Sequence, residues 1–450
     1  MANLSVFVKE ARKIFFLMFL FSNFFPLMAS GLSTNNNNQP TPIHKFESSN
    51  ISANIAAVNI PTGTGLLQDL IAKKLGIQND YGIQFGGAWL GDINNLISGG
   101  ISNPKRWTAN SLFLFGATID TQKLMGLQGG LFGIQFLQFN GQNTNGQAGS
   151  IQGYNSLPGS PPLNRSELYQ LWYRQELFNN KLFIRVGKSI PTDDFNNVIK
   201  PVPLKAADLF IPAVSSLLYT PLFVNTSLLG VIPGYYNSTY GITVSFAPIK
   251  QWYISYGGYD GNGANGVQTG LTGPTFNGSY FNIIETGISW LLGQDNKPGD
   301  FAIGVWHHTG KIAGPPTISE KNTSGYYLFG TQRLWYRNPG LDASGISIFY
   351  QYGKNNSEAL EMTQYLGGGV TAFGLVPHRE NDSMGFGISL SWLNHHSFNR
   401  STELMYQGYY QAKVVNFLYL EPAISYIPTP GASKELPASW AWTLRAIFIF

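Results

Sequence analysis

The 450-residue chain has no cysteine, which excludes a disulfide framework and any thiolate metal site. It is also short of charge. Asp, Glu, Lys and Arg make up 12% of the residues, about half of the roughly 25% usual in soluble domains. Beyond the N-terminus it lacks an apolar run of about 20 residues, the length a membrane-spanning helix needs. No composition break divides it after residue 80, so one large unit is expected rather than two or three domains of roughly 150 residues each. With 28 basic and 24 acidic residues, it carries no basic stripe of the kind nucleic acid requires.

What is present is glycine (51), tyrosine (23) and a 43% apolar fraction, a composition suited to strands and turns. The first residues give an address. Lys9, Arg12 and Lys13 precede the run IFFLMFLFSNFFPLMA, and Ala29, Ser30 and Gly31 follow it. Charged, apolar and small residues in that order make a secretory signal peptide over 1–31. The run is broken by Ser22, Asn23 and Pro26, which argues against an anchor helix. Its removal takes away three basic residues and one acidic residue, leaving a formal charge of +2.

Residues 32–65 read as a flexible polar leader. In GLLQDLIAKKLG, Leu67, Ile71 and Leu75 recur at helical spacing with Gly76 as C-cap, so a short amphipathic helix is expected over 66–80. It is too small to carry a fold and reads as an appendage near one mouth of the main structure.

From Tyr81 onward the period is two. The last strand, SWAWTLRAIFIF, puts Trp440, Trp442, Leu444, Ala446, Phe448 and Phe450 on one row and Arg445 on the other. SMGFGISLSW sets Met384, Phe386, Ile388, Leu390 and Trp392 against serines and glycines. YGITVSF and GISIFYQY repeat the pattern. A soluble sandwich would carry charge on its outer faces, whereas these opposite faces are glycine, serine and glutamine. Aromatic residues also recur near the ends of the apolar rows, where a membrane interface would hold them.

About sixteen such segments fall between 81–90 and 438–450, the weakest being 361–373. Connections alternate between short ones, such as FNNK, APIK, RNPG and QAKVVN, and long ones, 91–107, 140–166, 191–235, 260–280 and 310–323. Short periplasmic turns and longer external loops are the habit of outer-membrane barrels. The expected fold is therefore all-β, a transmembrane antiparallel barrel over 81–450 in the bacterial outer membrane.

Several blocks carry a more specific likeness: GLLQDLIAKKLGI with NNLISGG, SELYQLWYRQELFNNKLFIRVGKSIPTDDF, YGGYDGNG, GLVPHREND, TELMYQ and LYLEPAISYIPTPG. Together they resemble the OprB-type carbohydrate-selective porins of Gram-negative bacteria. The resemblance implies a sixteen-stranded barrel that passes monosaccharides, glucose being the family's usual substrate, by diffusion and without a cofactor. By resemblance to such barrels, Phe450 would be read by the barrel-assembly machinery.

Alternation suggests which residues line the lumen. Trp172, Arg174 and Glu176 lie opposite the apolar row Tyr169, Leu171 and Tyr173, and Arg185 lies opposite Leu182, Ile184 and Val186. Glu403, Gln407, Glu421 and Arg445 face inward near the end of the chain. Acids, amides, arginines and an aromatic platform suit the hydroxyl rim and C–H faces of a sugar. For any single residue, ion pairing across the wall is the commoner role, because wall pairs outnumber selectivity contacts in a wide barrel.

The connection 191–235 is far longer than the usual 12–15-residue limit for loops without a task. Its leucines and phenylalanines require burial. It is expected to fold inward, with Asp193, Asp194, Lys200, Lys205 and Asp208 narrowing the lumen. The alternative is a cap on the rim or contact with a neighbouring subunit in a homo-oligomer.

His307-His308 and His395-His396 are neighbours that point to opposite sides of a strand, so neither pair chelates a metal. No G-x-S-x-G, P-loop or dinucleotide fingerprint occurs. Three readings remain: a sugar-permeable channel, selective or general; an outer-membrane hydrolase; and a structural barrel whose lumen is filled with bulky apolar side chains.

Overall fold

A computed structural model describes residues 82–101, 106–161, 163–196, 237–249, 251–264, 269–314, 318–342 and 344–449. The expected signal peptide (1–31), leader (32–65), helix (66–80), Lys200, Lys205, Asp208 and Phe450 lie outside them.

Sixteen strands close into one antiparallel barrel. They are β1 (Ile83–Ser98), β2 (Arg106–Asp120), β3 (Gly130–Asn140), β4 (Arg165–Leu177), β5 (Leu182–Ser189), β6 (Thr239–Ile249), β7 (Trp252–Asp260) and β8 (Tyr280–Leu292). The second half comprises β9 (Lys297–Gly314), β10 (Ile318–Tyr336), β11 (Gly345–Asn355), β12 (Met362–Phe373), β13 (Ser383–Leu393), β14 (Thr402–Val415), β15 (Leu418–Ile427) and β16 (Ser439–Ile449). Each strand pairs with its neighbours in sequence, and β1 pairs with β16 from Ala88↔Ile449 to Ser98↔Trp440. Closure leaves no open edge, which the hydrocarbon region of a membrane demands.

The alternation of the sequence is the alternation of the wall. In β16, Ser439, Ala441, Thr443, Arg445 and Ile447 are buried inside, while Trp440 is 40% exposed on the outside. In β13 the serines face in, and Phe386 and Ile388 face out at 50% and 42% exposure. Outward aromatics gather at both ends. Trp107 meets Trp442 edge-on at 6.2 Å and Tyr426 stacks on Trp440 at 4.3 Å near one end. Trp89 and Phe417 flank Phe448 near the other. These are the two girdles of a lipid-embedded barrel.

At one end the connections are 178–181, 250–251, 293–296 and 416–417, with somewhat longer ones at 337–344, 374–382 and 121–129. FNNK turns through left-handed Phe178, Asn179 and Asn180, a conformation asparagine tolerates well. The 121–129 turn holds a helix the sequence reading missed, α1 (Thr121–Met125). It is capped by the Asp120 carboxylate accepting from the Gln122 and Lys123 amides, with left-handed Gly126 closing it. A second short helix, α2 (Thr144–Gln147), sits in the longer connection 141–164. That connection shares the opposite, external end with 190–238 and 261–279.

Two expected loops are strand instead. β1 runs on to Ser98, so the 91–107 connection shrinks to 99–105. The 310–323 connection is mostly ladder, with Lys311 facing Lys321 and Ala313 facing Ser319. Prolines are confined to 315 and 316 there, so both flanks keep their amides for pairing. Tyr169 also departs from its expected outward row. Gln135 pairs with Gln170 and Phe136 with Leu168, so Tyr169 is the extra residue of a bulge and is 2% exposed.

The inner face is richer in rings than the sequence suggested. Trp172, Tyr253, Tyr259, Trp306 and Tyr327 all face inward, and each pairs across a ladder with a glycine: Gly133, Gly287, Gly241, Gly325 and Gly304. A Cβ at any of these glycines would run into the opposing ring. Glycine thus lets each ring lie against the wall rather than project across the barrel. Gly304→Val should cost about 1–3 kcal/mol by overpacking against Tyr327, read as a lower urea midpoint in detergent micelles. A midpoint equal to wild type would show that the Tyr327 ring is not seated on Gly304.

Candidate functional site: an inner wall that anchors two inward segments

The residues singled out for the lumen fall into two sets, on opposite stretches of the wall. Arg445, Gln407, Glu403 and Glu421 belong to the β14–β16 side. Arg445 stands opposite Asp92 across the seam between β1 and β16 and donates twice, Nε and Nη2 each 2.8 Å from the carboxylate oxygens. Such a two-point contact fixes geometry as well as charge. Glu421, opposite Arg445 on β15, accepts from Gln411 Nε2 at 2.6 Å.

Glu403 does something the sequence reading did not foresee. Its carboxylate accepts from Ser150 Oγ at 2.6 Å and from the amides of Ile151 (2.8 Å), Gln152 (3.2 Å) and Gly431 (2.6 Å). Three of those donors belong to the 141–164 connection, which therefore folds into the barrel and lies along this wall. Further ties follow its course. Gln152 Oε1 accepts from Ser389 and Ser391, Asn155 Nδ2 donates to Asp92 (2.7 Å) and Asn94 (2.8 Å), and Gln407 Nε2 donates to the Tyr154 carbonyl. Arg445 Nη2 reaches Ser156 Oγ at 3.3 Å. Burial, with Asp92 nearby, holds the Tyr154 phenol above its ordinary pKa range, so it stays neutral.

Glu403, Gln407 and Arg445 are thus engaged with an inward segment, and all four inward residues of this side are buried. The signal missed was weak. Residues 141–164 are mostly Gly, Asn, Gln, Ser and Pro, the composition of a surface loop, with Ala148, Tyr154 and Leu157 buried among them.

The second set lies on β4 and β5. Arg185 pairs with Asp194, stands 4.0 Å from Asp193, and lies 5.6 Å over the Trp172 ring. Residues 190–196, the described start of the 191–235 connection, therefore turn inward as well. The Asn196 amide donates to Glu285 Oε2 at 2.6 Å, and Glu285 also accepts from Tyr253 and Tyr327, each at 2.6 Å. Phe195 is fully buried beside this cluster.

Arg174 and Glu176 differ from the rest. They form an ion pair at 2.7 Å with side chains 26% and 24% exposed, and Arg174 lies 5.9 Å over the Phe183 ring. They sit toward the short-turn end of β4. Outside this set, Glu167 on the same wall accepts from the Thr269 and Gly270 amides and faces Lys188 Nζ at 3.5 Å. His307 and His308 face opposite sides of β9, bonding Ser324 Oγ and the Gly261 carbonyl. Among the described residues, no group of three or more His, Asp or Glu side chains is placed to hold a metal.

Comparison with known proteins agrees with this architecture. The family model for carbohydrate-selective porins of the OprB family matches residues 108–446. Porin B of Pseudomonas aeruginosa is 21% identical over 442 residues, covering 86% of this chain and 91% of the relative. A putative porin, QuiX, of Acinetobacter baylyi is 23% identical over 313 residues, 61% of this chain and 66% of the relative. The high-pH structure of Pseudomonas putida OprB superposes with a TM-score of 0.71 at 19% identity, covering 86% of this chain and 98% of that one. A closed sixteen-strand barrel with lipid-facing girdles and a family match over most of its strands has one assignment: the chain belongs to the OprB family of carbohydrate-selective porins and resides in the bacterial outer membrane.

Proposed function

We propose that the barrel passes small neutral sugars of the glucose class by passive diffusion, along a lumen narrowed by residues 141–164 and by the connection beginning at 190. The observation that carries this reading is the state of the inner wall. Among the described residues its charges are largely consumed in anchoring, and a partly accessible pair remains, Arg174–Glu176 beside Phe183. A guanidinium and a carboxylate exchange hydrogen bonds with hydroxyls without selecting a charged solute, and the buried Phe183 ring beneath Arg174 holds that guanidinium in place. The buried Trp172 ring does the same for Arg185 on the same wall. Asp193 and Asp194 act in this reading by holding the 190–196 turn on Arg185. Lys200, Lys205 and Asp208 continue the same connection.

Family and fold point to a channel rather than a hydrolase. Rings that lie on glycines leave space along the wall, which speaks against the filled structural barrel. The apolar last strand, ending at Phe450, serves as the assembly signal in the same proposal, and a homo-oligomer is compatible with it.

Proteoliposomes containing the protein should swell faster in glucose than in a trisaccharide of equal osmolarity. Glu176→Gln with Arg174→Met should reduce that preference while leaving the barrel folded, because a part-exposed, solvent-screened pair contributes only about 1 kcal/mol to stability. Equal swelling in both sugars would make it a general porin, and no swelling would remove the channel.

A further inference from the structure

The external connection 261–279 straddles the barrel rim. Thr269 and Gly270 bond Glu167 on the inside wall, but residues 274–277 come down on the outside. There Pro274 and Phe276 overhang Gly187 of β5, Tyr240 and Ile242 of β6 and Gly258 of β7. Between overhang and wall lies an almost wholly apolar groove of about 340 Å³, within the roughly 300–1,000 Å³ of ligand clefts.

This overhang is held in place rather than draped. Asp260, the last residue of β7, accepts from the Thr275 amide at 2.6 Å and from the Asn262 amide at 3.0 Å. Asn262 Nδ2 then bonds Thr275 Oγ1 at 2.9 Å and Asn277 Oδ1 at 2.7 Å. Tyr280 stacks on Phe276, ring centroids 6.3 Å apart, and its hydroxyl donates to the Phe276 carbonyl. Phe276 itself has φ 41°, a left-handed conformation that costs energy for a bulky side chain. The fold thus sustains local strain to keep a phenyl ring 44% exposed over an apolar recess.

Position decides what occupies it. The groove opens on the outward row of the wall, where Ile242 is 38% exposed, and is continuous with the lipid-facing surface. Tyr240 and Gly258 each lie within two residues of the external ends of β6 and β7, which sets the recess in the outer leaflet just below the interface. A flat barrel wall of a second copy cannot enter a recess under an overhang, whereas a single hydrocarbon chain can.

We propose that this groove is a lipid-binding site that takes one acyl chain of an outer-leaflet lipid. Lipid tails are as apolar as the wall, so selective packing rather than escape from water supplies the preference. Gly258 is the gate residue: a side chain there points outward and meets the tip of Tyr256, which can swing aside.

The test uses the whole protein in phosphatidylethanolamine vesicles doped with a phospholipid that bears a photoreactive diazirine on one acyl chain. Peptides containing Ile242 and Phe276 should be labelled about fivefold more than the comparably lipid-exposed stretch Phe386–Leu390. Gly258→Phe, filling the recess, and Phe276→Ala, removing the overhang, should each bring labelling down to the level of the plain wall. Retained heat-modifiable mobility reports a folded barrel in both variants. Equal labelling of groove and wall in the wild type would overturn the proposal. So would crosslinking of two copies of the chain through a photoreactive amino acid placed at position 242.

Discussion

Glu403→Ala should open the channel. Single-channel conductance should rise several-fold above wild type, and discrimination between glucose and a trisaccharide should fall. The reason is the number of ties that converge on one carboxylate: Ser150, Ile151 and Gln152 of the inward segment, and Gly431. A buried donor left without its acceptor costs about 1–3 kcal/mol, so three of them in one short segment outweigh what it gains by staying against the wall. Leaving the lumen returns those amides to water.

The remaining ties, from Gln152 to Ser389 and Ser391 and from Asn155 to Asp92 and Asn94, set how completely the segment departs. Adding Asn155→Ala should carry the effect further, and by more than the sum of the single changes, because both anchors hold one strap. Glu403→Gln keeps the shape but replaces an oxygen acceptor by a donor, and should fall between wild type and alanine. Unchanged conductance in a correctly folded Glu403→Ala barrel would move the constriction away from residues 141–164.

The period of two carried most of the fold. SMGFGISLSW and SWAWTLRAIFIF were readable as strands, and their inward and outward rows stand where alternation put them, because a strand's two faces are fixed by covalent geometry. Even the weakest stretch, 361–373, is a strand, Met362–Phe373. What escaped the pattern was non-local. Tyr169 is turned by a bulge that depends on how β3 meets it, and nothing in ELYQLWYRQE marks it.

The pairing of inward rings with glycines is likewise invisible along the chain, since Trp172 and Gly133 are brought together only by register. Glu403 was recognised as inward, but its partners in the 141–164 segment lie some 250 positions away, beyond any spacing rule. The expected constriction by 191–235 has its described beginning, 190–196, on the inner wall at Arg185 and Glu285. The sequence offered apolar side chains there as a clue and offered polar ones in 141–164. It therefore favoured burial by hydrophobicity and overlooked burial by hydrogen bonding.

The second large effect concerns the seam. Asp92 and Arg445 sit opposite each other where the first strand meets the last, so their pair fastens the junction that closes the barrel. Both side chains are almost wholly buried, 0% and 5% exposed. Arg445→Met leaves Asp92 and the facing Glu421 without their shared cation, and breaking a buried pair in this way costs about 3–5 kcal/mol. The part-exposed Arg174–Glu176 pair, of the same type and similar length, is reached by solvent and worth only about 1 kcal/mol. Urea unfolding in micelles, followed by loss of the heat-modifiable band, should therefore show a large drop in midpoint for Arg445→Met and almost none for Arg174→Met. Adding Asp92→Asn to Arg445→Met should recover part of the loss, because the stranded charge is removed while Asn155 keeps an oxygen to bond. Equal midpoints for the two arginine variants would mean that the ladder hydrogen bonds alone close the seam. If instead the double variant were no better than Arg445→Met, the loss would reside in the guanidinium's own packing and its bond to Ser156, not in the uncompensated carboxylate.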